Sequence, residues 1–442
     1  MQQFNKIKHY MILRSSIFAG ICFLIIFPVL VKAQNNSSPY SIIGLGNIEN
    51  SYFNRYTGMG NAGVALSDSR YINTSNAASL SKLGNHIFVF ELATRATVDD
   101  YSGGNLTTIN PSSTAPSATF DISFCRLSVA TKITNKWGSS LGLQPYSTAN
   151  YNYTATKFVQ GSNTNQLTSD YQGSGGVNQF CWANGYQITK NTSIGVNSSM
   201  LFGSLNETES ILSNEVPAGL NTNTRTYVSG AYFNFSLQTK KRLNQHWMST
   251  YGITYSPQTT LHAVYDVTAT DNNLDTLKSD PTLNDRFTIP AVVNLGIALI
   301  KNDKYTFTVN AQKQNWSTIT GNAFQQVGGP SYLLTNSNKL SIGYQNSNKV
   351  TNIYGVVYEK SFFQLGLYGG NTYLNVEGQQ VTDFGASFGY GRNAKRSSLG
   401  YYIALEAGRR GSPNSNVLSE NYLNLNIVLS YVDRWFKGKK YY

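Results

Sequence analysis

The chain has 442 residues, 13% of them charged and 13% aromatic, with 30 Tyr, 38 Gly, 11 Pro, 4 His and a formal net charge of +12. Soluble domains carry about 25% charged residues, so an ordinary water-facing surface is excluded. Disorder is excluded as well, because Tyr, Phe, Val and Ile recur along the whole length. A mean hydropathy of −0.27 with a single long apolar run does not fit a bundle of membrane helices.

That run opens the chain. Lys6, Lys8 and Arg14 precede an apolar stretch from Ile17 to Val31, and Val31, Lys32 and Ala33 lead into Gln34 with small residues at the cleavage positions. This is the pattern of an export signal. The run is broken by Pro28 and falls short of the ~20 residues that span a bilayer, and Ile21 before Cys22 is a poor setting for lipoprotein processing. Residues 1–33 are therefore expected to be a signal peptide. Their removal takes Lys6, Lys8, Arg14 and Lys32 and leaves 30 basic against 22 acidic residues, a net charge of +8.

Residues 34–84 are punctuated by Gly44, Gly46, Gly58, Gly60 and Gly63 and show no sustained alternation. An irregular segment cannot cross lipid, so it is expected to form a hatch, or plug, inside a barrel. Gly58, Gly60, Asn61, Gly63, Asp68, Asn73 and Asn76 are its marker positions. Gly58, Gly60 and Gly63 also spell a dinucleotide-binding fingerprint. That motif needs a buried strand before it and an acid about 20 residues on, whereas Asn54, Arg55 and Thr57 precede it here and Asp68 follows at once. Tight turns explain the glycines better.

From about Asn85 onward the sequence alternates with period two over segments of about ten residues, the length a tilted strand needs to cross a membrane. Phe233, Phe235 and Leu237 alternate with Asn234, Ser236 and Gln238; Leu295, Ile297 and Leu299 with Gly296 and Ala298; Phe307 and Val309 with Thr308 and Asn310; Leu423, Leu425, Ile427 and Leu429 with Asn424 and Asn426. The second face is small and uncharged, which fits apolar residues toward lipid and polar ones toward a lumen. Short connections at 134–136, 190–192, 243–245 and 302–304 alternate with long polar ones at 98–114, 147–173, 207–223, 271–285 and 318–337. Trp137, Trp182, Trp247, Trp316 and Trp435 fall near strand ends, as an interfacial aromatic girdle requires. The expected fold is an all-β, transmembrane antiparallel β-barrel of about 14 strands over residues 85–436, followed by a basic tail, 437–442.

The lumen carries the remaining chemistry. Glu91 and Arg95 share one face of the first strand, while Asp121 and Arg126 lie on the second, where the alternation slips by a residue and implies a bulge. These four either contact a ligand carboxylate or form ion pairs that hold the plug to the wall. His262 alternates with Val264 and Asp266 on a face read as inward, but no Ser, His and acid arrangement supports hydrolysis. Cys125 and Cys181 either stay unpaired on an apolar face or bridge; neither has metal-ligand spacing. No cofactor, no metal and no nucleic-acid footprint is expected, and anionic lipid or lipopolysaccharide is the expected counter-charge.

Several segments are similar to a known family. Arg55–Asp68 and Asn73–Leu80, then Tyr171–Gln179, Leu201–Leu205, Ile289–Gly296, Asn302–Tyr305 with Trp316 and Ser317, Gly408–Gly411 and Asp433–Phe436 resemble the long-chain fatty acid transporter (FadL) family of outer-membrane proteins, in a divergent branch. The resemblance implies a barrel with an amino-terminal hatch. It also implies a monomer in the outer membrane of a Gram-negative bacterium that passively takes up long-chain fatty acids or similar hydrophobic compounds and releases them sideways through a gap in the wall. The alternative is a non-enzymatic structural or protein-secretion accessory barrel.

Overall fold

A computed structural model of the chain describes residues 38–49, 51–102, 118–158, 166–212, 219–271, 273, 275–319, 332–351, 357–376, 378–394, 398–411 and 418–434. The expected signal peptide and basic tail, and Trp435, lie outside the described residues.

Fourteen antiparallel barrel strands are present among the described residues. The first seven are β1 (Ile87–Ser102), β2 (Ala118–Thr134), β3 (Trp137–Thr148 with Tyr151–Phe158), β4 (Gln166–Gln187), β5 (Thr192–Leu212), β6 (Leu220–Arg242) and β7 (Trp247–Ser256 with Thr259–Thr270). The second seven are β8 (Thr276–Ile289 with Val292–Lys301), β9 (Tyr305–Gln314), β10 (Tyr332–Leu334 with Ser337–Thr351), β11 (Val357–Val376), β12 (Gln379–Asn393), β13 (Leu399–Gly411) and β14 (Ser419–Arg434). Each pairs with the next, and β14 returns to β1 from Ser419↔Ser102 to Arg434↔Ile87, so the sheet closes. Closure is what lipid demands, since it offers no partner to an open edge.

The alternation read from sequence is the alternation of faces. Phe233, Phe235, Leu237, Leu295, Ile297, Phe307, Val309 and Leu425 are exposed on the outer face, and Ser236, Gln238, Asn294, Thr308, Asn310, Asn424 and Asn426 are buried on the inner one. Short turns occupy the expected positions at one end of the barrel. At the other end the strands run further than expected. Tyr151–Phe158 pairs with Gln166–Gly173, and β5 pairs with β6 out to Ile211↔Leu220, so stretches read as loops at 147–173 and 207–223 are largely ladder. Polar faces are compatible with a strand once it has left lipid, where both sides can be solvated.

One local rule reverses the reading of β7 and β8. Pro257 and Gln258 interrupt β7 directly opposite the interruption of β8 by Pro290 and Ala291, with Ser256↔Val292 below and Thr259↔Ile289 above. Proline cannot donate to the ladder and settles where pairing breaks. Below the break, even-numbered residues such as Thr254 and Asn294 face inward; above it, odd-numbered Leu261, Ala263, Phe287 and Ile289 do. His262 is therefore exposed on the outer face rather than lumenal. Trp316 is likewise not at an interface: it is buried and stacks on Tyr373 at 4.8 Å between ring centroids. Among the described residues nine tyrosines, Tyr402 and Tyr373 among them, are buried rather than placed in a girdle.

Residues 38–49 and 51–83 lie against the inner face. They contain three short 3-10 turns, at Pro39–Ile42, Thr57–Met59 and Ala77–Lys82, and the two-residue strand Asn47–Ile48. Their backbone is met by wall groups from around the barrel: Gly58 N donates to Tyr402 Oη (2.5 Å), Gly60 N to Ser387 Oγ (2.9 Å) and Ala78 N to Ser236 Oγ (3.0 Å), while Thr308 Oγ1 donates to Ala62 O (3.1 Å) and Gln238 Nε2 to Ala65 O (2.9 Å). The approach is close because the facing wall positions are glycine. A Cβ at Gly185, Gly195, Gly252 or Gly366 would collide with the backbone of Ala77, Ala78, Val64 or Gly60. Replacing Gly252 with Leu is therefore expected to cost about 1–3 kcal/mol through overpacking, while Ile253→Leu on the lipid face is close to neutral. The temperature at which the compact barrel band is lost on a mild detergent gel measures both.

Candidate functional site

The marker residues of the amino-terminal segment fold it onto itself. Asn73 Nδ2 donates to Gly63 O (2.9 Å) and Leu66 O (2.7 Å), and its Oδ1 accepts from Ser75 N (3.0 Å). Asn76 caps the Ala77–Lys82 turn by accepting from Ala78 N (2.9 Å) and donates to Val64 O (2.7 Å). Asn side chains suit this work because they bond to neighbouring backbone in tight turns. Asn61 and Gly60 adopt positive φ, 63° and 62°. Gly58 and Gly63 have no room for a side chain, the first against Gly389 and Tyr402, the second against Tyr56 and Ser75. Asp68 accepts from Arg70 N (2.7 Å) and Tyr71 N (3.1 Å) and pairs with Arg55.

Of the ionic contacts that hold this segment, two are direct ion pairs with the wall and one is a pair within the wall that bonds to the segment backbone. Glu91 and Arg126, expected on β1 and β2, meet at 2.5 Å with both side chains essentially inaccessible to solvent. Each also binds the segment: Ile72 N donates to Glu91 Oε1 (3.0 Å), and Arg126 Nε donates to Phe53 O (3.0 Å). Arg95 pairs with Glu49 at 3.0 Å and lies over the Phe53 ring at 4.5 Å. The third contact was not found by sequence reasoning. Arg55 is buried, pairs with Asp68 and with Glu359 of β11 (3.1 Å), and stacks over Phe362 at 3.9 Å. Arg55 stood at the start of a recognised segment, but Glu359 is 304 residues away and nothing local pairs them. The expected bulge is present: Ala93 faces Arg126 and Thr94 faces Phe124, leaving Cys125 as the extra residue. Cys125 and Cys181 are free thiols, and both are buried on the inner face rather than on the apolar outer one.

Asp121 marks a break in the wall. The β2–β3 ladder ends at Leu127↔Leu143; beyond it, among the described residues, 118–126 pair only with β1. On the other side Pro145 and a register shift before Ser147 bend β3 away. The segment strand fills the parting, with Asn47↔Thr148 and Ile48↔Ser147 in register, Glu49 N donating to Tyr146 O (2.9 Å) and Ser147 Oγ to Leu45 O (2.5 Å). A cavity of about 320 Å³ lies here, lined by Arg95, Asp99, Asp121, Asp383, Glu406, Arg410 and the outward-facing Ile122, so it reaches the parting. Across the lumen, Tyr52 borders a second, smaller cavity of about 140 Å³. Burial pushes its phenol up to about 12, and it stays neutral.

Toward the long-loop end the lumen becomes apolar. Tyr40, Ile42, Ile43, Leu45 and Ile48 of the segment pack with Tyr171, Val177, Leu201, Val228, Leu261, Phe287 and Trp316 of the wall. The segment thus occupies an apolar, aromatic-lined space that its own side chains fill.

A family model described as BamG matches residues 11–442. The chain belongs to the BamG family. No curated protein matches it at the sequence level. Among solved structures it is similar to a Pseudomonas aeruginosa FadL homologue (13% identity, TM-score 0.58, covering 88% of this chain and 100% of that one). It is also similar to the Pseudomonas putida toluene transporter TodX (16%, 0.55, 88% and 99%) and to the CymD monoaromatic hydrocarbon channel (14%, 0.52, 89% and 99%). At such identities the likeness is one of fold: this BamG-family chain shares the FadL-type membrane barrel that its sequence resembled.

The Glu91–Arg126 pair gives the site its clearest energetic test. Arg126→Met leaves Glu91 buried without its partner, a loss of about 3–5 kcal/mol, whereas changing both to apolar residues of similar volume restores most of the stability. Urea unfolding of the barrel in lipid vesicles distinguishes the two outcomes.

Proposed function

We propose that this chain is an outer-membrane channel of a Gram-negative bacterium, monomeric and non-enzymatic, through which hydrophobic compounds, long-chain fatty acids among them, pass down their gradient. In this reading residues 1–33 are a signal peptide, 34–84 a hatch, 85–436 the barrel and 437–442 a tail. The parting of β2 from β3 carries the proposal. Among the described residues the β2–β3 ladder stops at Leu127↔Leu143 while 118–126 continue along β1, and the hatch strand Asn47–Ile48 stands in the parting this leaves between lumen and lipid. An apolar molecule entering from the long-loop end would take the place of Tyr40, Ile42, Ile43 and Leu45 among the aromatic wall residues, and movement of the hatch strand would release it sideways. Burial of apolar area drives such exchange without energy coupling.

A second reading has its own observation. The middle of the lumen is polar, and the hatch is fixed there by the buried Arg55–Glu359 pair, by backbone hydrogen bonds with Glu91 and Arg126, and by direct backbone contact with glycine in the wall. A barrel so firmly closed would serve as a structural or protein-secretion accessory.

One experiment separates them. Ile48 and Ser147 are ladder partners, and antiparallel partners stand ~4.5–5.5 Å apart at Cα, within disulfide range. In a background with Cys125→Ser and Cys181→Ser, the Ile48→Cys/Ser147→Cys protein is expected to take up labelled oleate into proteoliposomes when reduced and to stop when oxidised. Uptake no greater than that of empty liposomes in the reduced state sinks the channel reading, and a stable protein partner recovered from such a variant supports the accessory one.

A further inference from the structure

The excess positive charge is not spread evenly. Lys136, Lys190, Lys241, Arg242, Lys301 and Lys304 all sit at the short-turn end of the barrel, in or beside the turns. Asp99, Asp100, Glu207, Glu209, Asp271 and Glu420 lie toward the long-loop end. Short turns of such barrels face the periplasm, so the basic end meets the periplasm and not lipopolysaccharide, the counter-charge expected from sequence.

Within the ring of turns is an open cavity of about 660 Å³, lined by Arg70, Lys82, Lys240 and Lys349. Of the carboxylates lining it, Asp68 and Glu359 are already held by Arg55, which leaves Asp303 at the rim. Among the described residues neither Lys82, Lys240 nor Lys349 stands within ion-pair distance of a carboxylate. Lys82 comes from the hatch, Lys240 from β6 and Lys349, the ladder partner of Glu359, from β10, so three separate elements line one space with cations. Burial, and then Lys240 and Lys132 nearby, push the Lys82 ammonium below its ordinary value.

Lysines on the inner side of the turns cannot reach lipid head groups; their counter-charge must come from the aqueous periplasm. A lone carboxylate gains little from a solvated lysine. Several carboxylates on one extended chain gain from all of them at once, because after the first contact the others form at high effective concentration. We propose that this vestibule is a docking site for an acidic, extended polypeptide segment of a periplasmic partner. The inference does not depend on whether the barrel conducts hydrophobic compounds.

The test uses the full-length protein in a neutral maltoside detergent and a fluorescein-labelled ten-residue polyglutamate peptide followed by anisotropy. The expected result is saturable binding that falls roughly tenfold, about 1.4 kcal/mol, in K82Q/K240Q/K349Q. Binding is expected to be unchanged in K241Q/K301Q/K304Q, whose lysines point outward or lie in the turns, and not to be competed by acetate at the same carboxylate concentration. A heat-shift gel of both triple variants establishes that the barrel is intact. The proposal is overturned by absence of peptide binding, by equal loss in both variants, by acetate competing as well as polyglutamate, or by binding confined to phosphatidylglycerol vesicles and dependent on the outward lysines.

Discussion

Lipid gives a backbone N–H or C=O nothing to bond to, and this constraint decides the architecture. Every strand must find two neighbours, so the sheet closes from β14 to β1, and any departure from pairing must be covered from within. One such departure is between β2 and β3. There Pro145 removes a donor and Arg126, Cys125 and Phe124 bulge, and the two residues Asn47 and Ile48 supply part of the missing ladder. The amino-terminal segment is thus part of the wall as well as its filling. Its position is fixed where the wall is weakest.

Inside, the segment is held by two kinds of contact that differ in what they demand. Glycine opposite backbone demands only space, and the wall supplies it at Gly185, Gly195, Gly252 and Gly366. Buried ion pairs demand mutual satisfaction, because an unpartnered charge there is costly. Glu91 and Arg126 meet that demand by binding each other and the segment backbone. Removing either partner unbalances wall and segment together. Above this layer the lumen turns apolar and below it turns basic, so the barrel presents three different chemistries along its axis.

Much of this was legible in the sequence. Strict alternation with small polar partners, as in Phe307–Asn310 or Leu423–Asn426, has no other stable home than a lipid-facing strand, and the short turns fell where they were read. The slip in alternation around Cys125 showed the bulge. The failures have separate causes. Alternation reports a face only within an unbroken strand, and at Pro257 and Pro290 the parity flips, which sent His262 to the wrong side. Trp and Tyr were read as interfacial because their rings suit that zone, yet a plugged lumen also needs large rings with a polar tip, as Tyr373 donating to Gly46 O at 3.0 Å and Tyr402 meeting Gly58 show. The Arg55–Glu359 contact joins residues that no local pattern connects.

The glycine-backed inner wall also bears on how the molecule can be put together. Residues 58 and 60 are synthesised early, yet their partners Tyr402 and Ser387 stand 344 and 327 residues later. Where wall glycine meets segment backbone there is no clearance, so the segment could not be threaded past those points once the barrel is finished. The wall is therefore expected to close around a segment already in place. Contacts this distant in sequence are slow to form. On that expectation the amino-terminal segment serves during biogenesis as the mandrel on which the cylinder is rolled.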